Sequence, residues 1–554
     1  MKNIFNLIPL LADLKTYSKQ RFTNDLSAGI TVGVMLVPQG MAYAYLAGMP
    51  PIYGLYAGLL PLIIYGIFGS SRHLSVGPVA VSALLVFAGI KNLAEPLSQQ
   101  FVELAILAAL LIGILQISLS ALRLGILINF ISHPVISGFT SAAAIIVAVS
   151  QLKDVFGMNI PRLSNPLQTV WYVIENFRQV HAQTLSLSII ALAVLILIKR
   201  ANKKIPGALI VVVVSTFLSW FFEFNKLGIT TVGLVPEGLP DFTIPIYDKE
   251  IVVSLLPTVF TVTAISLVES LGIAKTYEGK SKSYKVKNNQ ELFSLGLSNV
   301  LGSFGQSMPT SGSFSRSAVN FSSKSKTGLS SIISAFVVLL SLLFLTSLFK
   351  HLPIAVLAAI ILLAIKNLFD HNEPIRLWKV HRRDFYTLLI TFSGTLILGI
   401  ELGVLLGFSL SIISVLYKSS KPNITELGMI ESTNYFRSSD RYDGLQKVKN
   451  HTLIRFDDQL YYGNAYYFKD KFIEIAERSN NEFVVLDASN IHDIDSTGLT
   501  VLQSIIESLE QNKQHLKIAN MVEQVEDLIE NSGILFTDQN TVNTYGSLTE
   551  AVNL

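Results

Sequence analysis

The residues best placed for ligand chemistry are a few polar side chains inside long apolar stretches. Arg316 follows the run SGSFS, residues 311–315. An arginine at bilayer depth costs about 2.5–3.5 kcal/mol even on lenient scales, so it should face a cavity, a carboxylate or an anionic ligand. The small residues before it predict a helix that begins inside the membrane, where free amides carry partial positive charge. Ser313, Ser315 and Arg316 are therefore candidate anion ligands; the alternative for the serines is close helix packing.

A second stretch, SVGPVAVSALL (residues 75–85), is likewise broken by glycine, proline and serine at its start. It predicts an opposing half-helix, so that two positive helix ends and one guanidinium form an anion pocket near the bilayer midplane. Gln39 and Tyr43 lie one helical turn apart in an earlier apolar segment, and both could reach one ligand. A contact between helices for Gln39 and simple packing for Tyr43 are the alternatives.

Glu269 lies within the apolar segment VTAISLVESLGIA. A carboxylate in an apolar environment tends to become neutral, so Glu269 could bind and release a proton during transport. A permanent pair with Arg316 is the alternative. The chain has no GxGxxG, P-loop, GxSxG or HExxH pattern, and its nine histidines show no ligand spacing. The sequence therefore predicts no enzyme, no cofactor and no metal site.

Composition places these residues in a membrane. The 554 residues are 50% hydrophobic and 15% charged, against roughly 25% charged in ordinary soluble domains. Residues 421–554 hold 11 basic and 21 acidic side chains, whereas residues 1–420 hold 31 basic and 18 acidic ones. A basic membrane part and an acidic tail exclude a plain cytosolic enzyme and argue against nucleic-acid binding. The absence of cysteine excludes disulfides and thiolate metal sites.

Apolar segments predict about fourteen membrane crossings. Two of them, 76–94 and 309–323, are weaker and broken at their starts. The others are 26–47, 52–69, 101–121, 127–150, 184–198, 206–222, 252–274, 287–303, 327–349, 353–367, 384–399 and 401–417. Gln39 and Glu269 lie 230 residues apart and Gly77 and Gly312 lie 235 apart. These similar offsets indicate a seven-plus-seven inverted repeat.

An even number of crossings places both termini on one side of the membrane. Lysine and arginine are concentrated in alternate short loops, with roughly 24 basic residues against about 7 in the intervening loops. This asymmetry predicts that both termini are cytoplasmic. We expect an interfacial segment at 1–25, a transmembrane domain at 26–420 and a cytoplasmic domain at 421–554.

The tail alternates predicted strands, at 451–462 and 482–490, with helical segments, which indicates a small α/β domain. After the second strand, Asp495, Ser496 and Thr497 open a helix. Short polar side chains at such a position cap the helix. A phosphate on Ser496 or Thr497, or a docked partner, would also be favoured by the helix start.

Taken together, several segments resemble the sulfate permease (SulP) family of anion transporters, which has a C-terminal STAS domain. They are PQGMAYAYLAG, PPIYGLYAGLLP, GSSRHLSVGPVAV, SGSFSRSAVN and the DSTGL of the tail. The resemblance implies a fourteen-helix, seven-plus-seven fold with a core domain (helices 1–4 and 8–11) and a gate domain (helices 5–7 and 12–14). It also implies a homodimer and elevator-like alternating access.

By the same resemblance, the anion site falls on Gln39, Tyr43, Val79, Ala80, Ser313, Ser315 and Arg316. The carboxylate linked to proton coupling falls on Glu269, and the phosphorylated loop of stand-alone relatives of the tail falls on Ser496 or Thr497. The sodium-coupled bicarbonate branch has an aspartate and nearby hydroxyls where this chain has Glu269, Ile273 and Phe314. This departure favours proton–anion symport over sodium coupling.

We therefore predict a secondary active transporter of inorganic anions in the cell (inner) membrane, most simply H⁺-coupled sulfate uptake. The expected partners are the anion, protons, the lipid bilayer, a second copy of the chain and a regulatory protein at the STAS domain. The alternatives are a bicarbonate, dicarboxylate or chloride transporter or exchanger, a passive anion channel, and a membrane sensor that has lost transport.

Overall fold

The computed structural model divides the chain into two compact units, Met1–Ser411 and Ile412–Leu554. The division falls inside one helix, Ile400–Ser420. The structure describes residues 8–15, 17–125, 132–161, 166–201, 206–233, 238–245, 248–281, 283–366, 369–431, 433–479, 481–533 and 542–552. Most of the N-terminal half of the predicted interfacial segment, residues 1–7, therefore lies outside the described residues.

The first unit is helical apart from two short strands. Its elements are, in order, α1 (Pro9–Leu14), α2 (Lys19–Leu46), α3 (Ile52–Tyr56), α4 (Leu60–Phe68), β1 (Ser75–Gly77), α5 (Ala80–Ile90), α6 (Gln99–Ala121), α7 (His133–Ser150), α8 (Leu152–Phe156), α9 (Pro166–Glu175), α10 (Ala182–Ala201), α11 (Gly207–Phe221), α12 (Lys249–Ser281), α13 (Asn288–Phe304), β2 (Ser311–Ser313), α14 (Phe314–Ser322), α15 (Leu329–Phe344), α16 (Thr346–Phe349), α17 (Ile354–Ile365), α18 (Asn372–Val380), α19 (Arg382–Leu398) and α20 (Ile400–Ser420).

Each predicted crossing contains at least one of these helices. Within the described residues, five helical stretches are long and apolar enough to cross a membrane: Lys19–Leu46, Gln99–Ala121, His133–Phe156, Ala182–Ala201 and Lys249–Ser281. Shorter apolar helices account for most of the others. A helix satisfies its own backbone hydrogen bonds, which is why apolar segments of this length fold as helices in lipid.

Two predicted segments each hold two helices rather than one: 52–69 holds α3 and α4, and 327–349 holds α15 and α16. The broken segments 76–94 and 309–323 each begin with extended chain before their helices start at Ala80 and Phe314. In both broken segments, glycine or proline precedes the helix start, and these residues disfavour helix at that point.

Helix pairs between the two halves occur twice, and in the second occurrence each helix is replaced by its counterpart from the other half. The first long helix, α2, packs on α15, and its counterpart in the second half, α12, packs on α6. The pairs α7 with α19 and α10 with α17 repeat this exchange. β1 and β2 pair antiparallel with each other, with Ser75 opposite Ser313 and Gly77 opposite Ser311. This exchange of partners is what an inverted repeat requires.

Glycine contacts hold the second crossing against α2 and against the start of α15. A Cβ built on Gly54 would lie 1.9 Å from the carbonyl oxygen of Gly40, and one built on Gly328 would lie 2.0 Å from that of Gly66. Backbones can approach this closely only where a side chain is missing.

The second unit is an α/β domain. Its strands are β3 (Ile424–Met429), β4 (Phe436–Ser438), β5 (His451–Phe456), β6 (Phe483–Asp487), β7 (His515–Ala519) and β8 (Asn543–Tyr545), in the order β4-β3-β5-β6-β7-β8. β5 to β8 are parallel, and β3 is antiparallel to both its neighbours. The helices are α21 (Ala465–Ser479), α22 (Ser496–Gln511), α23 (Glu523–Ser532) and α24 (Leu548–Ala551). The sequence predicted β5 and β6 at 451–462 and 482–490, and the segment HLKIAN, residues 515–520, predicted β7. It did not predict β3 or the three-residue strands β4 and β8.

We expect Gly54→Ala to destabilise the membrane unit. The new methyl would overlap the Gly40 carbonyl, and overpacking of this kind costs about 1–3 kcal/mol. Thermal unfolding of the detergent-solubilised protein, followed by size-exclusion chromatography, measures the loss. Gly279→Ala is the matched control, because nothing lies within 4 Å of its Cβ position. An unchanged unfolding temperature for Gly54→Ala would contradict the close packing.

Candidate functional site

The pairing of β1 with β2 brings two helix starts together. α5 begins at Ala80, directly after β1 and the turn at Pro78 and Val79. α14 begins at Phe314, directly after β2. Because helix N-termini expose unpaired amides and carry about half a positive charge each, the two starts form a site for negative charge.

Arg316 lies behind these helix starts and is fully buried. Its Nη1 donates to the carbonyl oxygen of Pro78 at 3.0 Å, and its Nε donates to the Ser75 hydroxyl at 3.4 Å. These bonds join the guanidinium of the second half to the first half of the chain. Nη2 has no hydrogen-bond partner, so a buried cationic donor remains available to a ligand.

Gly77 is required beside the guanidinium. Its φ of +150° is a conformation that other residues rarely adopt. A Cβ at this position would lie 3.1 Å from Nη2 of Arg316. The glycine therefore keeps the unpartnered side of the guanidinium clear.

A cavity of about 760 Å³ lies in front of the helix starts. Six of the eight residues predicted for anion binding and proton coupling line it: Tyr43, Val79, Ala80, Glu269, Ser313 and Ser315. Gln39 and Arg316 do not line the cavity in this conformation. Gln39 Oε1 is buried without a partner. Both side chains therefore stand behind the cavity wall rather than on its surface.

Glu269 faces the cavity from α12 and is not paired with Arg316. In the described part of the chain, Arg316 makes no ion pair, and none of the ion pairs or hydrogen bonds involves Glu269. The alternative of a permanent pair between the two residues is therefore wrong for this conformation. The carboxyl group is free to change its protonation state without breaking a contact.

The opposite wall of the cavity contains residues that the sequence did not single out. His133, Ile136, Ser137 and Thr140 come from the first turns of α7, and Asp370 lies beyond α17. The hydroxyl of Ser137 is buried without a partner. No local pattern marks these positions, because they face the site only through packing between distant helices.

A buried amide holds the start of β2. Asn299 of α13 accepts from the Thr310 amide at 2.8 Å and hydroxyl at 3.0 Å, and donates to the Thr310 carbonyl at 3.2 Å. Its Nδ2 also donates to Gln116 Oε1 at 3.0 Å. All three side chains are buried. Asn299 thus forms the hydrogen bonds to the Thr310 backbone that a neighbouring strand would otherwise form.

In the C-terminal unit, Asp495 caps the N-terminus of α22. The carboxylate of Asp495 accepts from the amide of Gly498 at 2.7 Å and from that of Tyr462 at 2.9 Å. Ser496, the first residue of α22, is exposed and Thr497 is partly buried. The predicted capping role is present, with Asp495 as the capping residue.

Comparison with known proteins gives the same picture over the whole chain. The model of the sulfate permease family matches residues 22–391, and the STAS domain model matches residues 444–551. "Sulfate transporter 4.1, chloroplastic" of Arabidopsis thaliana is 40% identical over 552 residues, covering 96% of this chain and 80% of that protein.

Solved structures match the fold. The murine Solute Carrier 26 family member A9 anion transporter, in the inward-facing state, has a TM-score of 0.92 and 26% identity, covering 100% of this chain and 94% of that chain. The transmembrane domain of a cyanobacterial bicarbonate transporter, BicA, has a TM-score of 0.61 and 22% identity, covering 72% of this chain and 98% of that one.

The helical unit, its broken helices and these matches define a multi-pass membrane transporter rather than an enzyme. The chain belongs to the sulfate permease family, and its C-terminal unit contains a STAS domain. The predicted family and fold are thereby confirmed.

We expect Asn299→Ala to destabilise the protein by about 1–3 kcal/mol, the cost of leaving a buried donor of Thr310 unsatisfied. Thermal unfolding measures this loss. Ser298→Ala is the matched control, because the buried Ser298 hydroxyl donates only to the Ser294 carbonyl of its own helix, at 2.7 Å. Equal effects of the two substitutions would contradict the role of Asn299 in holding β2.

Proposed function

We propose that the protein takes up an inorganic dianion, sulfate, together with protons. The observation that carries this proposal is the buried guanidinium of Arg316 with its unpartnered Nη2, beside two helix starts and a cavity that also contains Glu269. The names of the relatives as sulfate transporters support the choice of substrate.

Charge balance favours proton coupling. Arg316 contributes one positive charge, and each helix start contributes about half a charge. Together they amount to about +2, which matches a sulfate dianion. An ionised Glu269 in the same cavity would reduce this to about +1, so binding of the dianion favours protonation of Glu269. The proton and the anion then cross the membrane together, with the charge of the anion balanced by the site.

In this proposal each site residue has a defined part. The amides at Val79, Ala80 and Ser313 bind the anion from the helix starts, and the hydroxyls of Tyr43, Ser313 and Ser315 donate to it. Gln39 supports the pocket from behind, with its amide on the helix face of Tyr43. Arg316 supplies the charge, and Glu269 supplies the proton-binding carboxyl.

Contacts at the two ends of α7 support alternating access. The cavity contacts His133 and Ile136, at the first turns of this helix. Beyond its last turn, the Asp154 carboxylate accepts from the Tyr45 hydroxyl of α2 at 3.0 Å. An 18-residue helix is about 27 Å long, so the cavity and the Tyr45–Asp154 contact lie at opposite ends of α7, between the helix group that contains α2 and the helix group that contains α7. An elevator-like shift of one group against the other would exchange these ends.

The remaining features of the proposal rest on the sequence and the family. The alternation of basic loops supports cytoplasmic termini, in a protein of the cell (inner) membrane with domains at 1–25, 26–420 and 421–554. Membership of the family supports a homodimer. The exposed Ser496 and its neighbour Thr497, at the start of α22, support regulation by phosphorylation or by a docked protein.

We expect Arg316→Ala to weaken sulfate binding about 10- to 150-fold, because a hydrogen bond to a charged group contributes about 1.5–3 kcal/mol. Equilibrium binding of labelled sulfate to the purified protein measures this. Arg316→Lys tests geometry separately, because an ammonium keeps the charge without the planar donor fork. Arg123→Ala, at an exposed arginine outside the site, is the control. Undiminished affinity in Arg316→Ala would remove the site assignment.

We expect sulfate uptake into proteoliposomes to rise as the external pH falls, by up to about tenfold per pH unit, the limit for one bound proton. In Glu269→Gln the amide is permanently neutral, so uptake should no longer respond to external pH. Counterflow exchange of sulfate at equal pH on both sides serves as the control, and Glu269→Gln should retain it. Uptake by the unchanged protein that is indifferent to pH would contradict symport with protons.

A further inference from the structure

A single serine connects the helix of Glu269 to the strand that precedes the second helix start. Ser270 of α12 is fully buried. Its hydroxyl oxygen accepts from the amide of Gly312 at 2.8 Å, and it lies 3.2 Å from the hydroxyl of Ser311. Both partners belong to β2, directly before Ser313.

One pattern of donors and acceptors satisfies every contact around this hydroxyl. The Ser311 hydroxyl donates to the carbonyl oxygen of Ser266 at 3.4 Å. The Ser270 hydroxyl can therefore donate to Ser311 while it accepts from Gly312, and each hydrogen is used once. Ser266 and Ser270 lie one turn apart on the same face of α12. Ser266 and Ser270, on successive turns of α12, thus hydrogen-bond to Ser311 and Gly312 of β2.

Gly312 and Ser270 are in close contact. A Cβ on Gly312 would come within 3.0 Å of Ser270 Oγ and 3.1 Å of Ser270 Cα. The strand therefore lies directly on the helix. Neighbouring residues of a helix point about 100° apart, so Ser270 faces β2 while Glu269 faces the cavity.

We propose that Ser270 is the positioning residue that couples protonation of Glu269 to the anion affinity of the second helix start. This inference rests on the proposed function. A change of charge on Glu269 shifts α12 relative to the cavity, and the hydrogen bonds of Ser270 transmit that shift to β2 and so to Ser313. Such coupling is reciprocal, because the bound anion then also favours the proton on Glu269.

Other ionisable groups stand near α12. Arg316 is on α14, Glu291 on α13 and Glu103 on α6, which are the charged residues of the elements packed on it. Tyr43, His133 and Asp370 also line the cavity, and Lys275 and Glu278 form an ion pair on α12 itself. Glu291 is engaged by the hydroxyl of Tyr65 at 2.6 Å and the amides of Ser70 and Ser71. Among the described residues, none of these groups contacts Ser270.

The test is the ratio of sulfate dissociation constants at pH 7.5 and pH 5.5, measured with labelled sulfate on the purified full-length protein. A ratio of about 5 or more is expected for the unchanged protein, in the usual range of coupling between two sites. In Ser270→Ala the ratio should fall to about half or less, because only the direct charge effect of Glu269 on the anion remains, while the dissociation constant at pH 7.5 changes less than about threefold. A merely structural role would instead weaken binding at both pH values and leave the ratio intact.

Two further variants control for folding and for the serine content of the helix. Ser266→Ala should keep the full ratio, because Ser311 uses the backbone carbonyl of Ser266 and not its side chain. Ser311→Ala removes one of the two contacts with Ser270 and should reduce the ratio partway. If Ser270→Ala does not fold, Ser311→Ala decides, and an undiminished ratio in that variant overturns the proposal.

The outcomes separate this inference from the proposed function. A ratio near 1 in the unchanged protein overturns proton coupling itself, and with it the role of Ser270. A ratio of 5 or more that disappears in Glu269→Gln but persists in Ser270→Ala overturns only the role of Ser270. Loss of the ratio in Ser266→Ala to the same degree as in Ser270→Ala overturns it as well.

Discussion

The pairing of two three-residue strands is the contact on which the site depends. Extended chain at membrane depth leaves backbone amides and carbonyls that lipid cannot satisfy. Ser75–Gly77 and Ser311–Ser313 satisfy each other, and the residues around them are held by buried side chains: Asn299 bonds to Thr310, and Ser270 bonds to Gly312. Because each strand comes from a different half of the chain, the inverted repeat is what brings the two helix starts face to face.

The positive charge beside the paired strands has no negative partner among the described residues. The Arg316 guanidinium bonds to the other half through Pro78 and Ser75 but leaves Nη2 without a partner. Buried cationic groups without a partner are costly, and two helix starts add to the positive potential. In the proposed function, binding of an anion removes this cost. The carboxyl group of Glu269, which is not paired with the arginine, would in that proposal change the net charge of the pocket by gaining or losing a proton.

The sequence was most informative where a residue was chemically out of place. An arginine and a glutamate in apolar segments, and small residues that break two such segments, were visible without any contact information. Prediction failed where the signal lies in packing. Asn299 and Ser270 look like ordinary polar residues of a helix, and their importance appears only because β2 lies against them. His133 and Ser137 likewise reach the cavity only through the placement of α7. The strands β1 and β2 were missed because three residues are too few to show alternation.

The sequence by itself determined the membrane crossings, the separation of a basic membrane part from an acidic α/β tail, and the family, and it singled out the residues that we propose bind an anion or a proton. These follow from hydropathy, charge and motifs, which are local properties of the chain. Only the tertiary structure decided that Arg316 and Glu269 are not paired, that Arg316 is bonded to the opposite half, and that Glu269 shares a cavity with the helix starts. The bonds of Arg316 to Ser75 and Pro78 join residues more than 200 positions apart, and only the packing of distant segments against each other sets such contacts.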